Sequence, residues 1–143
     1  MKKFILAVDQ STSATKAVLF DSKAKLVARS NKDHKQYYPQ PGWVEHDPVE
    51  IYRNTCAVMR DVIAKASIKP EDVLCLSVTN QRETVVVWDR NTGKPVYNAI
   101  VWQCQRGADI CHKLVNDGHE SLIKNKTGLI IDPYFSASGI KWI

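Results

Sequence analysis

The segment Val73–Glu83 joins a largely apolar stretch directly to a cluster of amides and charges. Its beginning, V-L-C-L-S-V-T, is rich in branched side chains, and such a run is typical of a buried strand in a parallel or mixed sheet. Asn80 and Gln81 end the run, and Arg82 and Glu83 follow as adjacent opposite charges. Sheets of this type bind ligands at their strand ends. The segment therefore predicts an α/β fold with a binding site just after this strand.

The neighbouring charges Arg82 and Glu83 have complementary hydrogen-bonding roles. A guanidinium offers a fork of donors, and a carboxylate offers two acceptor oxygens. Vicinal hydroxyl groups both donate and accept, so this combination suits a polyol. A surface ion pair in a loop would have the same sequence, and the pair alone does not decide between the two interpretations.

Composition limits the class of protein. The 143 residues are enough for one domain with its own core, and 44% hydrophobic with 24% charged residues is ordinary for a soluble globular protein. The net charge of +5 is spread out, and its densest part is too sparse for a nucleic-acid-binding face. That part comprises Lys23, Lys25, Arg29, Lys32 and Lys35. The composition therefore predicts a protein that binds no nucleic acid.

The start of the chain resembles a signal peptide, with Met1–Lys3 followed by the apolar run Phe4–Val8. The run ends at Asp9, which is too early for a signal sequence, and no segment has the length of a membrane span. The four cysteines show no C-x-x-C spacing, so we expect reduced core thiols. These are Cys56, Cys75, Cys104 and Cys111. We expect a cytoplasmic protein without a membrane span.

The first part of the chain predicts three strands, at Phe4–Val8, Lys16–Phe20 and Lys25–Arg29. Their connections are too short for helices, so we expect an antiparallel meander that begins a mixed sheet. Asp47, Pro48 and Glu50 then predict the start of a helix that continues to Ala66. Later segments predict a strand at Thr84–Trp88, a turn at Asn91–Gly93, and helices at Gln105–Val115, Glu120–Asn125 and Ser136–Ile143.

The segment Asp9–Lys16, D-Q-S-T-S-A-T-K, places a carboxylate and a lysine around a hairpin of small hydroxyl residues. Backbone N–H groups and hydroxyls in a tight hairpin suit phosphate oxygens. Asp9 suits a hydrated Mg²⁺, which binds one or two carboxylates together with phosphates. The segment is not a Walker loop, because the G-x-x-x-x-G-K pattern is absent. A polar hairpin without a ligand is the alternative.

Two aromatic residues are further candidates. Trp102 follows the apolar run Ala99–Val101 and is suited to form a wall for a small carbon skeleton. Tyr134 follows Pro133, which fixes a turn from which the phenol can reach a ligand. A core aromatic and a residue at a helix start are the respective alternatives.

Together these segments resemble the FGGY carbohydrate kinases, whose fold is the ribonuclease-H-like, actin-like ATPase fold. The hairpin of Asp9–Thr12 leading into Lys16–Asp21 resembles the phosphate hairpin of that family. Four further segments resemble the glycerol kinases within it, and they occur in the same order along the chain. These are Pro41–Pro48, Thr79–Thr84, Gly93–Gln103 and Thr127–Ser136.

The resemblance implies a role for each candidate. Arg82, Glu83, Trp102 and Tyr134 would line the site for glycerol; Thr12, Ser13, Ala14 and Lys16 would contact the phosphates of ATP; and Asp9 would hold Mg²⁺. Three residues depart from the family pattern: Ser11 replaces a glycine, Ala14 a hydroxyl residue and Lys16 an arginine. Lysine binds phosphate as a point charge, without the planar fork of arginine.

Members of the family are several times longer than 143 residues. They place the proton-accepting aspartate later in the first domain and the adenine pocket in a second domain. We therefore expect residues 1–143 to be the leading part of the N-terminal domain of a homo-oligomeric, ATP-dependent glycerol kinase, inactive when isolated. A kinase for another polyol or a pentulose is the alternative within the family. From other classes, a ribonuclease-H-like nuclease or a non-catalytic binding module remains open.

Overall fold

A computed structural model describes residues 3–143, so Met1 and Lys2 of the signal-like start lie outside the described residues. In chain order, the elements are β1 (Phe4–Gln10), β2 (Ala14–Asp21), β3 (Leu26–Asp33), β4 (Gln36–Tyr37), β5 (Glu45–His46), α1 (Pro48–Lys65), a short 3₁₀ helix (Pro70–Asp72), β6 (Val73–Asn80), β7 (Ala99–Ile100), α2 (Ala108–Asn116), α3 (Glu120–Thr127) and α4 (Ser136–Trp142). The chain divides into two compact units. The first comprises the residues up to Lys35 with Asp47–Gln81, and the second comprises Gln36–His46 with Arg82–Ile143.

The first unit contains a four-stranded sheet in the order β3-β2-β1-β6. The pairs β1–β2 and β2–β3 are antiparallel, whereas β1–β6 is parallel. The turn after β2 is fixed by Asp21, whose carboxylate accepts hydrogen bonds from the backbone N–H groups of Lys23 and Lys25, both at 2.9 Å. The predicted meander and the mixed sheet are confirmed; β1 and β2 extend beyond their predicted bounds, and β3 begins at Leu26 rather than Lys25 and continues to Asp33.

Helix α1 begins as the sequence predicts. The Asp47 carboxylate accepts a hydrogen bond from the Val49 N–H at 2.8 Å, and Pro48 occupies the first turn, where its missing N–H costs nothing. Helix α1 packs on the meander strands and buries its apolar side against them. The resulting core contains Phe4, Leu6, Val8, Ala17 and Leu19 from the sheet with Val58 and Val62 from α1.

Strand β6 corrects the expectation of a buried strand. Its side chains at Leu74, Leu76 and Val78 have exposed fractions of 62%, 52% and 62%. Leu76 and Val78 lie opposite Leu6 and Val8 in register, so they share the core-facing side of the sheet. They remain exposed because β6 is an outer strand and α1 packs mainly over β2 and β3, at the other end of the sheet. An apolar run predicts a strand but does not predict what covers it.

The second unit contains a small antiparallel sheet in the order β4-β5-β7, in which each strand has two residues. Its core contains Val44, Ile100, Val101 and Cys104. The predicted strand at Thr84–Trp88 is wrong. This segment makes only single bridges, Val85 to Ile100 and Trp88 to Pro95, and its backbone hydrogen bonds to residues 94–100 do not form a continuous ladder.

The three later helices occur where the sequence predicts them, with shifted ends. Helix α2 begins at Ala108 rather than Gln105, because the preceding residues form turns. Helix α3 continues to Thr127 and ends at Gly128, whose φ of +76° is the left-handed conformation that glycine adopts readily. Among residues 3–143, no helix combines the length and apolar character that crossing a membrane requires.

Candidate functional site

The hairpin between β1 and β2 brings two of the predicted residues together. Asp9 lies opposite Lys16 in register, and the Lys16 Nζ is 3.7 Å from the Asp9 carboxylate. Both side chains are about half exposed. The connection is tight, since the Ser11 N–H donates to the Ala14 carbonyl at 2.9 Å. A carboxylate and an ammonium group are thereby presented at one end of the sheet.

The remaining hairpin residues differ in accessibility. Thr12 is half-buried and Ser13 is exposed, so both residues carry a hydroxyl at the turn. The side chain of Ala14 is buried, so this residue can offer a ligand only its backbone. This donor set suits phosphate oxygens. Asp9 is a single carboxylate at the end of β1, and one carboxylate fits a Mg²⁺ ion that is bound largely through phosphate and water.

The sequence did not predict a role for His34, which hydrogen-bonds to the backbone of the hairpin. Its Nε2 donates to the Thr12 carbonyl at 2.8 Å, and its backbone N–H donates to the Ser13 carbonyl at 3.2 Å. In a trans peptide the C=O and N–H point in opposite directions, so the Ser13 N–H points away from His34. The side chain is buried. No sequence pattern connects His34 with a turn that lies 22 residues earlier.

Arg82 and Glu83 form the turn after β6, in the second unit. Glu83 has a φ of +64°, which is unusual for a residue other than glycine. Its carboxylate oxygen Oε2 accepts hydrogen bonds from the Ser136 N–H at 3.1 Å and from the Ser136 Oγ–H at 2.9 Å. Arg82 is exposed. The two charges therefore differ in freedom, since the carboxylate is anchored and the guanidinium extends into solvent.

The two predicted aromatic residues contact each other in the second unit. The rings of Trp102 and Tyr134 meet edge to face, with centroids 5.9 Å apart and planes at 68°. The Trp102 N–H donates to the Thr84 Oγ1 at 3.3 Å, and Thr84 directly follows Glu83. Ser136, which binds Glu83, lies two residues after Tyr134. These links bring Glu83, Trp102 and Tyr134 into one neighbourhood, and Arg82 belongs to the same turn.

A buried ion pair between Glu45 and Arg106 was also not predicted. The Arg106 Nη2 donates to the Glu45 Oε1 at 2.7 Å, and the two side chains are 0% and 3% exposed. Tyr97 Oη and Asn98 Nδ2 donate to the same carboxylate at 3.0 and 2.8 Å. The Arg106 guanidinium lies 4.1 Å from the centre of the Trp43 ring. The pair is separated by 61 residues, and no local pattern indicates it.

The electrostatic balance at this pair follows from its neighbours. Burial by itself would raise the pKa of Glu45, but the hydrogen bonds from Asn98, Arg106 and Tyr97 outweigh burial and hold that pKa below its usual value. Arg106 also donates from Nε to the Cys104 Sγ at 3.0 Å. The ion pair thereby fixes the short segment that follows Trp102.

The cysteines are free, as predicted, but they are not all core residues. Cys104 and Cys111 are buried, whereas Cys75 is exposed because it lies on the uncovered strand β6. Burial raises the pKa of the Cys111 thiol.

The chain matches a known family over nearly its whole length. Residues 4–143 match the N-terminal domain of the FGGY family of carbohydrate kinases. Glycerol kinase 1 of Thermotoga maritima is 59% identical over 140 residues, which covers 98% of this chain and 28% of that protein. The glycerol kinase of Caldanaerobacter subterraneus subsp. tengcongensis is 54% identical over 143 residues, covering 100% of this chain and 29% of that protein.

The solved structures agree with the sequence relatives. The crystal structure of Plasmodium falciparum glycerol kinase with ADP superposes with a TM-score of 0.91 at 39% identity, covering 99% of this chain and 28% of that one. The chain therefore spans less than a third of the length of the proteins that it matches.

Proposed function

Because this chain belongs to the FGGY family of carbohydrate kinases, with the actin-like ATPase fold of that family, we propose that the full-length gene product is a glycerol kinase. It transfers the γ-phosphoryl group of ATP to a terminal hydroxyl of glycerol and releases glycerol 3-phosphate. Residues 1–143 are the leading part of its N-terminal domain. The identity to glycerol kinases over the whole chain supports this proposal, as does the bound ADP of the Plasmodium falciparum structure.

The arrangement around Glu83 is the observation that carries the choice of a polyol. An anchored carboxylate follows an exposed guanidinium, and a pair of aromatic rings lies in the same neighbourhood. In the proposal, Arg82 donates hydrogen bonds to the hydroxyl groups of glycerol and Glu83 accepts them. Trp102 packs on the carbon chain, and Tyr134 closes one side. Hydrogen bonds of this kind fix which hydroxyl is presented for phosphorylation.

The hairpin is proposed to bind the phosphates of ATP. Thr12 and Ser13 donate through their hydroxyls and backbone, Ala14 through its backbone alone, and Lys16 supplies a positive charge. Asp9 would hold a Mg²⁺ ion, which when bound neutralises charge on the phosphates. Phosphoryl transfer depends mainly on such positioning and electrostatic stabilisation. We also propose that the enzyme is cytoplasmic and homo-oligomeric and binds no nucleic acid. The sparse distribution of its basic residues supports the last point.

A substrate panel tests the proposal on the full-length gene product. ADP release is measured with ATP, Mg²⁺ and, in turn, glycerol, a longer polyol and a pentulose. We expect the highest kcat/KM with glycerol, because the charged pair Arg82 and Glu83 and the aromatic pair Trp102 and Tyr134 form one small site in the proposal. A higher kcat/KM with the pentulose would assign the chain to another branch of the family.

Replacing Lys16 by arginine separates the hairpin from the polyol residues. Lys16 is a half-exposed point charge near Asp9, and such charges are screened by salt. Arginine adds a planar fork of donors that matches phosphate. In the full-length protein we expect Lys16→Arg to preserve or lower the KM for ATP, to weaken its salt dependence, and to leave the KM for glycerol unchanged.

Steady-state kinetics at low and high ionic strength check this expectation. Lys126→Arg is the matched control, because Lys126 is an exposed lysine on α3, in the other unit. A change in the KM for glycerol, with the KM for ATP unaltered, would show that the hairpin serves the other substrate.

A further inference from the structure

Glu83 occupies a backbone conformation that its side chain does not favour. Its φ of +64° lies in the left-handed region, where a residue with a Cβ is strained. Such conformations persist where the surrounding structure holds them, and they concentrate at ligand-binding positions. Glu83 is neither a glycine nor an asparagine, so its neighbours must supply what the backbone loses. The residue that stabilises this conformation therefore also determines how Glu83 is placed in the site.

Ser136 is the residue that holds Glu83. Its N–H and its Oγ–H both donate to the carboxylate oxygen Oε2, at 3.1 and 2.9 Å. The same Oγ also lies 3.2 Å from the Glu83 carbonyl oxygen, so it spans the side chain and the backbone of one residue. Ser136 begins α4, and Tyr134 lies two residues before it. Ser136 at the start of α4 thus holds the acceptor and is close in sequence to one of the two aromatic residues.

The two carboxylate oxygens of Glu83 are left with different roles. Oε2 is occupied by Ser136, whereas no donor from residues 3–143 hydrogen-bonds to Oε1. A carboxylate oxygen accepts further hydrogen bonds, and hydroxyl groups are good donors to it. If Oε2 is anchored, the side chain cannot rotate freely, and Oε1 is held in one orientation before a ligand arrives. Such pre-organisation lowers the cost of binding.

We propose that Ser136 is a positioning residue for the polyol, acting through Glu83. It holds the strained turn and ties Oε2 so that Oε1 is the oxygen that accepts from a substrate hydroxyl. This inference rests on the proposed role of Glu83 as a ligand of glycerol. A purely structural role for Ser136, joining the turn to α4, makes a different prediction, because it would affect stability without affecting the affinity for glycerol.

Four variants of the full-length protein test the inference. Ser136→Ala removes the hydroxyl, and Ser136→Thr keeps it. Glu83→Gln keeps the shape of the proposed ligand but removes its charge. Ser138→Ala is the matched control, because Ser138 is a buried serine on the same helix whose Oγ donates to the Phe135 carbonyl at 3.2 Å rather than to Glu83. For each variant we measure the Kd of glycerol by calorimetry, which needs no turnover, together with the KM for ATP and the thermal midpoint.

We expect Ser136→Ala to weaken glycerol binding about tenfold, in line with the loss of a hydrogen bond to a charged group, and to leave the KM for ATP unchanged. Ser136→Thr should stay within about twofold of the unmodified protein, because the hydroxyl is retained. Ser138→Ala should lower the thermal midpoint without altering the Kd. The double variant Ser136→Ala with Glu83→Gln should be weaker than Glu83→Gln alone by less than about threefold, since both changes remove one coupled unit.

Two outcomes separate this inference from the proposed function. If Glu83→Gln weakens glycerol binding but Ser136→Ala does not, Ser136 has only a structural role. Fully additive losses in the double variant would lead to the same conclusion. If Glu83→Gln itself leaves the Kd of glycerol unaltered, the proposed ligand is wrong, and the positioning role of Ser136 is overturned with it.

Discussion

Arg106→Met is expected to destabilise the chain by about 3–5 kcal/mol, the usual effect of removing one partner of a buried ion pair. The change leaves the Glu45 carboxylate almost fully buried without its cation, while Tyr97 and Asn98 continue to donate to it. Methionine approximates the length of the side chain, so the charge is lost with little change in volume. The stacking of the guanidinium on Trp43 is lost as well.

Urea unfolding followed by circular dichroism measures this effect. Lys113→Met is the control, because Lys113 forms an exposed ion pair with Asp117 at 3.2 Å and should cost no more than about 1 kcal/mol. An equal decrease in the free energy of unfolding in the two variants would show that the buried ion pair contributes no more to stability than the exposed one.

The same experiment has a pH dependence with a defined sign. The pKa of Glu45 is lowered in the folded chain, so its contribution is fully present above its ordinary pKa of 4.5 and is lost as pH falls through the folded value. In Arg106→Met the lowering hydrogen bond from Arg106 is absent, and burial acts to raise the pKa. We therefore expect the difference in unfolding free energy between the two proteins to shrink on acidification. A difference that grows in acid would contradict this assignment.

The 143 residues by themselves are expected to show no ATP-dependent phosphorylation of glycerol. They span 28–29% of the glycerol kinases that they match, and the family resemblance implies that the proton-accepting aspartate and the adenine pocket lie further along. Without them, the substrates are not positioned for phosphoryl transfer. The expected result is a loss of all measurable turnover relative to the full-length protein.

A coupled assay of ADP release, with and without glycerol, decides this point. The full-length gene product at the same concentration is the positive control. Glycerol-dependent ADP release by the 143 residues above the background would show that the catalytic groups lie within them.

Local patterns were sufficient to predict most of the first unit. Short polar turns between apolar runs predicted the meander, and Asp47 followed by Pro48 predicted the start of α1, because both signals act within a few residues. The parallel pairing of β6 with β1 also agrees with a mixed sheet. Exposure could not be predicted in the same way. The burial of Leu76 or Val78 depends on what packs over β6, and their own sequence does not contain that information.

The second unit was harder to predict, because its contacts are distant in sequence. Strands of two residues such as β5 and β7 are too short to produce a periodic signal. Glu45 and Arg106 form their ion pair across 61 residues of sequence, and Glu83 and Ser136 form their hydrogen bonds across 53. Candidate ligands could be recognised by their chemistry at strand ends, but the residues that orient them could not. Whether the candidates bind the proposed ligands stays a prediction.

The exposure of β6 has a consequence for the behaviour of this chain in concentrated solution. The stretch Val73–Thr79 carries no charge and no proline, has high β propensity, and lies on an outer strand of its sheet. Segments of this kind are templates for pairing with another copy, and a net charge of +5 elsewhere does not block a single strand edge. We therefore expect the exposed strand β6 to promote self-association at high concentration, and a charged residue in place of Leu76 or Val78 to reduce it.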